Sequence, residues 1–195
     1  MVMIGMGINM TRWFSSDPHL SHGNIIKYQN RPFNNIREMD EALLTYHNEL
    51  VKPKDHWSCL GDVTIRRGGR IDREWFIREI RKYNGHKRLY LGNHDHFPIQ
   101  VYIDAGFEKV YATWRDEKGI LFSHIPVHPR SIGSARANVH GHIHSQPNYT
   151  PILGVDRHDN VMVKPYINIS VERTNYRPVN IDWIEARIEE GIKHV

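Results

Sequence analysis

Residues 88–95 read RLYLGNHD: an apolar run of strand character stops abruptly on Gly92, Asn93, His94 and Asp95. The same junction recurs on both sides of it. Thr11 to Ser15 reads as a strand and runs into Asp17-Pro18-His19. His56 to Val63 carries Gly61-Asp62 near its end, Ile120 to Ser123 is followed by His124, and Ala137 to Val139 leads to Gly141-His142-Ile143-His144. In open α/β sheets ligands bind in the loops beyond the carboxyl ends of the strands, so five strands ending this way predict polar clusters that converge on one edge.

Between these strands the pattern changes to a helical period. Met39, Ala42, Leu43, Tyr46 and Leu50 fall at three- and four-residue steps, which predicts an amphipathic helix stopped by Pro53. A short helix can begin over Asn24 to Tyr28. Another starts at Asp72, a good N-cap, buries Trp75, Phe76, Ile80 and Tyr83, and ends at Asn84-Gly85. Strands follow at Phe107 to Ala112 and Tyr166 to Val171, and a last helix runs from Asp182 to Glu190. Strands alternate with helices in the first half and dominate the second, so the class is α/β with a mixed sheet and two packed sheets. No repeat or linker divides the 195 residues, and one domain spanning 1–195 is expected, with residues 1–10 as a flexible start.

Composition narrows the setting. With 39% hydrophobic and 25% charged residues the chain is an ordinary folded protein. No apolar run approaches the ~20 residues of a membrane span, and the opening lacks the basic flank of a signal peptide, so a cytoplasmic protein without a membrane partner is expected. The single Cys59 agrees with a reducing compartment and reads as a buried, inert thiol. A net charge of +4 favours phosphate-bearing partners without identifying one. The abnormal count is 14 histidines, and what matters is where they fall.

In an Asp-x-His step on extended backbone, residues two positions apart point to one side, so the carboxylate of Asp17 and the imidazole of His19 can grip one ion. The same logic applies to His142 and His144, which two neighbouring ions could share. A divalent ion takes about four to six ligands. Asp17, His19, Asp62, Asn93, His124, His142 and His144 are too many for one compact site. If Asp62 bridges, each of two metals receives four protein ligands and keeps open positions, the arrangement used to hydrolyse phosphate esters. Oxygen and imidazole ligands without thiolate point to manganese, iron or zinc and away from a structural zinc site.

These motifs, in this order, resemble the calcineurin-like metallophosphoesterase superfamily, whose signature reads Asp-x-His, Gly-Asp, Gly-Asn-His-Asp/Glu, His, then Gly-His-x-His. The resemblance spans residues 17 to 144. A four-residue match such as GNHD arises by chance in roughly one chain of this length in a thousand at residue usage near 5%, and here it sits among four others. The stretches SHGNIIKYQNRPF, MDEALL and VERTNYRPVNID are similar to a small bacterial and phage branch of that superfamily. Pro18 departs from the small residue more usual there, and its fixed backbone is compatible with the turn. The resemblance implies a two-sheet αββα sandwich. It implies one metal held by Asp17, His19, Asp62 and His144, a second held by Asp62, Asn93, His124 and His142, and a metal-bridging hydroxide that attacks phosphorus in line. It also implies that His94 is no ligand but stabilises phosphoryl charge or protonates the leaving oxygen, with Asp95 orienting its other ring nitrogen.

Other residues carry weaker signals. His22 could face the substrate mouth or cap the following helix. Arg66, Arg67 and Arg70 could reach a substrate phosphate through their guanidinium forks or form a solvated loop. His128, His140 and His158 have no motif support, and Asn175 to Asp182 has no ligand pattern and is expected to close the sheet. The expected function is a binuclear metal-dependent phosphoesterase acting on monoesters or diesters. With no recognisable cap insertion over the metals, a phosphodiester, nucleotide or nucleic-acid end is favoured as substrate. The alternative is a nonhydrolytic scaffold of the same fold that binds a protein partner. That reading predicts loss of the histidine in the Asn-His pair or of the bridging ligand, and this chain keeps both. A nucleic-acid-binding protein rests on charge alone, with no groove-reading motif. The sequence leaves the oligomeric state unspecified.

Overall fold

In a computed structural model, which describes residues 10–65, 72–146, 153–155 and 161–193, the parallel strands β1 (Arg12–Ser15), β2 (His56–Cys59), β3 (His86–Tyr90) and β4 (Phe107–Tyr111) form the first sheet. The second contains β5 (Thr113–Arg115), antiparallel to β6 (Ile120–Ser123), which runs parallel to β7 (Ala137–His140). Strands β8 (Leu153–Val155) and β9 (Val161–Val163) pair, among the described residues, only with each other. β10 (Tyr166–Asn168) adds to β7 in parallel, and β11 (Val179–Asn180) adds to β1 antiparallel. The sheet orders are therefore β11-β1-β2-β3-β4 and β10-β7-β6-β5.

Strand alternation explains the layering. Along the first sheet Trp13, Trp57 and Leu89 face the helices α1 (Gly23–Tyr28), α2 (Ile36–Leu50), α3 (Arg73–Ile80) and α4 (Ile99–Asp104). Phe14, Tyr90 and, just past the end of β2, Leu60 lie on the opposite side, face the second sheet and meet Ile120, Phe122, Ala137 and Val139. Phe14 stacks on Phe122 with ring centroids 4.7 Å apart and planes within 5°. The last helix, α5 (Ile181–Lys193), lies across β1, β10 and β11 and inserts Ile184 and Ile188 into this inter-sheet core. The class is α/β, a sandwich of two mostly parallel sheets flanked by helices, as the sequence predicts. Among the described residues no helix is long and apolar enough to cross a membrane.

Local chemistry sets most boundaries. Asn35 caps α2 by accepting from Glu38 N, and Asp72 caps α3 by accepting from Glu74 N. α2 stops at Leu50, short of Pro53. β2 ends at Cys59, earlier than the expected Val63, and the chain beyond it continues as a loop. β10 likewise stops at Asn168 rather than Val171. Within the stretch from Asn175 to Asp182, β11 pairs Val179 with Phe14 and Asn180 with Trp13, which closes the edge of the first sheet.

Candidate metal centre

The loops after β1 and β2 run side by side, with Asp17 N donating to Gly61 O (3.1 Å), His19 N to Asp62 O (3.1 Å) and Leu20 N to Val63 O (2.9 Å). The second sheet meets them at Asp17 and at Leu60, whose carbonyl faces His124 Nδ1 at 2.8 Å. His142 N donates to both carboxylate oxygens of Asp17, at 3.1 and 2.9 Å, while Gly141 N donates to His124 O at 2.9 Å. This approach needs glycine, since a Cβ on Gly141 would lie 2.0 Å from Ser16 Oγ and 2.2 Å from Asp17 Oδ2. Gly92 is equally confined: its Cβ would lie 2.2 Å from Asp62 Oδ1.

The expectation that extended backbone turns each Asp-x-His or His-x-His pair to one side is corrected here. Asp17, His19, Asp62, His142 and His144 all adopt left-handed backbone, with φ of 59°, 50°, 52°, 71° and 49°. Residues of this kind rarely hold such angles, at a cost of order 1–3 kcal/mol each, unless the surroundings over-determine them, and such strain clusters at functional sites. The side chains converge because the backbone kinks at each of them, and the strand pleat plays no part.

The convergence forms two groups: Asp17, His19 and His144, and Asp62, His124 and His142, each with its ligand atoms within 4.8 Å of one another. Asp62 Oδ2 lies between them, 3.6 Å from His19 Nε2 and 3.3 Å from His124 Nε2. Asn93 Oδ1 stands 2.9 Å from His124 Nε2, and His142 Nδ1 3.3 Å from the same nitrogen. His19 is 1% exposed, yet neither of its ring nitrogens has a hydrogen-bond partner among the described residues. Buried polar atoms are ordinarily satisfied, so this orphaned imidazole facing carboxylates fits a cation. Either group could hold a divalent metal ion.

Electrostatics agree. Burial pushes the Asp62 carboxyl up, but His124, His19 and the His94 N–H outweigh it and bring the group down to about 2. Burial works against the charged form of His124 too, yet Asp62 and Asp17 raise it to about 9. Burial holds His19 well below the usual histidine range, with Asp62 only partly opposing it. The fixed field thus attracts positive charge, and a metal ion would compete with a proton for the His124 lone pair.

No protein-family model matches the chain. Relatives are nonetheless clear. The uncharacterized protein MJ1445 of Methanocaldococcus jannaschii is 32% identical over 178 residues, which cover 90% of each chain. The chain belongs to the family of MJ1445. The Gene 66 protein of Mycobacterium phage L5 is 28% identical over 150 residues, covering 75% of this chain and 68% of that protein. Among solved structures, the protein of unknown function AQ665 from Aquifex aeolicus superposes with a TM-score of 0.64 at 25% identity, over 91% of this chain and 99% of AQ665.

In this member of the MJ1445 family the remaining singled-out residues fall around the two groups. His94 Nε2 lies 4.0 Å from Asp62 Oδ2, and its backbone N–H donates to Asp62 Oδ1 at 2.9 Å. Asp95 accepts from Asp62 N (2.8 Å), Gly92 N (2.8 Å) and Val63 N (3.0 Å), so its carboxylate ties the two loops together through backbone, in place of the expected bond to the other ring nitrogen of His94. Burial raises Asp95 to about 6 despite those donors. His22 stands at the N-cap of α1 without a side-chain capping bond, its ring 6.0 Å from that of His19. Cys59 is fully buried, and burial raises its thiol, so it is inert. Arg66, Arg67, Arg70 and His158 lie outside the described residues. Sequence reasoning missed the groups behind the first triad. Ser170 Oγ donates to Asp17 Oδ2 at 2.9 Å, and Glu172 Oε1 meets His144 Nδ1 at 3.1 Å and Arg31 Nη2 at 2.6 Å. The only signal for these lay in the family-like stretches that contain Arg31 and Glu172.

Proposed function

We propose that this protein is a binuclear metal-dependent phosphoesterase of the calcineurin-like superfamily, of its small bacterial and phage branch, acting as a single cytoplasmic domain over residues 1–195. Phosphate monoesters or diesters are its substrates, with a phosphodiester, nucleotide or nucleic-acid end favoured. One observation carries the reading: Asp62 Oδ2 sits between two His/Asp groups, 3.6 Å from one imidazole and 3.3 Å from the other, as a shared ligand must. Asp17, His19, Asp62 and His144 would hold one ion, and Asp62, Asn93, His124 and His142 the other. Manganese, iron and zinc suit these donors.

Bound there, two divalent ions supply Lewis acidity toward a phosphoryl group and make water nucleophilic at neutral pH. The chain's own residues do the rest. His94 holds a proton at Nε2 and delivers it to the leaving oxygen, or places its charge against the phosphoryl group. Asp95 acts on His94 through the backbone it fastens, since its carboxylate binds the N–H groups of Gly92, Asp62 and Val63. His22 faces the approaching substrate. The test is a screen of metal-free protein reloaded with manganese, iron(II) or zinc against an aryl phosphate, a bis-aryl phosphate and cyclic nucleotides. Metal-dependent hydrolysis of the bis-aryl ester is expected. No hydrolysis with any metal would remove the reading, and hydrolysis of the monoester alone would remove the diester preference.

A further inference from the structure

The two His/Asp groups are supported differently from behind. In the second, the far nitrogen of His124, Nδ1, meets a neutral backbone carbonyl, Leu60 O, at 2.8 Å. In the first, the far nitrogen of His144 meets a carboxylate, Glu172 Oε1, which also accepts from Arg31 Nε (2.9 Å) and Nη2 (2.6 Å). The Arg31 and Glu172 side chains are 0% and 4% exposed. The same guanidinium donates from Nη1 to Pro18 O and from Nη2 to Asp17 O, both at 2.8 Å. Asn168 Nδ2 holds His144 O at 2.8 Å. One buried ion pair therefore grips the backbone that carries Asp17 and the ring of His144, two members of one group that are 127 residues apart.

Stability alone does not account for this pair. Desolvating two charges costs as much as their attraction returns, and packed apolar residues of similar volume would hold the loops as well. A carboxylate behind a metal-ligating imidazole has a specific effect: it fixes the proton on the far nitrogen, aims the ring and strengthens the near nitrogen as a donor. We infer that Glu172, clamped by Arg31, is the positioning residue of the first group: it keeps the proton of His144 on Nδ1, turns Nε2 toward Asp17, and sets the metal affinity of that group alone. This rests on the metal-binding reading proposed above. The asymmetry follows from the supports, because among the described residues only His144 pairs a metal-facing ring with an acid outside the two groups.

The test is a manganese titration of metal-free protein, which needs no substrate. Wild type should bind two ions. Glu172→Gln, which keeps the shape and removes the charge, should weaken one site by roughly 10- to 100-fold and leave the other unchanged. His144→Ala should weaken the same site, and adding Glu172→Gln to it should cost that site nothing more. Ring-nitrogen NMR of the wild type at pH 8, with the His144 signal identified by its loss in His144→Ala, should show the proton on Nδ1. This measurement decides the matter even if Glu172→Gln does not fold. A proton on Nε2, equal weakening of both sites, or two unchanged sites in Glu172→Gln would overturn the inference while leaving the proposed function standing. Failure of the wild type to bind manganese, iron(II) or zinc would overturn both.

Discussion

The loops beyond the strands and the helix layer behind them each bury a histidine, and the two are treated in opposite ways. His47, on α2, is 2% exposed; its Nε2 meets Asn84 O at 3.0 Å and its ring stands edge-on to Trp57 and Tyr83 at 4.5 and 5.0 Å. His19, on the loop after β1, is 1% exposed and, among the described residues, has no hydrogen-bond partner for either nitrogen; it is ringed by Asp62, His94 and His144. Burial disfavours the protonated form of both. Their difference is saturation. A buried polar group that belongs to the packing has its partner inside the protein, whereas one left unsatisfied among carboxylates waits for a partner from outside.

The strongest way to break this contrast is at Asp62, the residue we propose both groups share. Asp62→Asn should abolish measurable turnover even in excess metal, a larger loss than removal of any terminal ligand, because a neutral amide weakens both sites at once. Near-normal activity of that variant would mean that Asp62 serves only one site. Next in size is His94→Ala, which should keep both metals and lower turnover by roughly 10²- to 10⁴-fold. The loss should be greater on an alkyl or ribose ester than on an aryl ester whose leaving oxygen needs little protonation. Equal losses would make His94 a charge stabiliser, and loss of metal would make it a ligand.

The two histidines can then be set against each other directly. His47→Ala should cost about 3–5 kcal/mol in chemical denaturation, for the cavity and the abandoned carbonyl, while the folded protein binds two ions. His19→Ala should change the stability of the metal-free protein by no more than ~1 kcal/mol, since an unsatisfied group leaves with it, but should lose an ion. The reverse outcome would erase the distinction. The smallest effect is in the pH dependence. Burial holds His47 down to about 4, below its unfolded value near 6.5. Its stabilising contribution is therefore complete above pH ~6.5 and is lost as pH falls through 4, about 3 kcal/mol in all. His47→Leu should flatten that part of the stability curve.

The alternation of strands and helices, the helix faces and the seven ligand candidates were legible because apolar runs broken by Asp, His and Gly carry information within a few residues. Several short elements were not. α4, β5 and the β8–β9 pair span three to six residues each, too few for a period to show. The backbone at Asp17 and His19 was misread for another reason: only glycine advertises a left-handed turn, and a strained Asp or His looks like any other until its surroundings are known. Arg31 and Glu172 stayed unconnected because 141 residues separate them and an ion pair leaves no local pattern.

The contact at Gly141 gives the molecule a gauge. Asp17 and His19 come from the first sheet and His144 from the second, while Asp62 comes from the first and His124 and His142 from the second, so both groups straddle the seam between the sheets. With only a hydrogen between the Gly141 backbone and Ser16, the sheets at that end are as close as atoms allow. A methyl group at 141 would act as a wedge there. Less obviously, the spacing at the seam is also set from inside, by the stacked rings of Phe14 and Phe122. Thinning that stack, as in Phe122→Leu, would let the halves settle toward each other and shift every interligand distance while touching no ligand. The interior of the sandwich is thus a ruler for its rim.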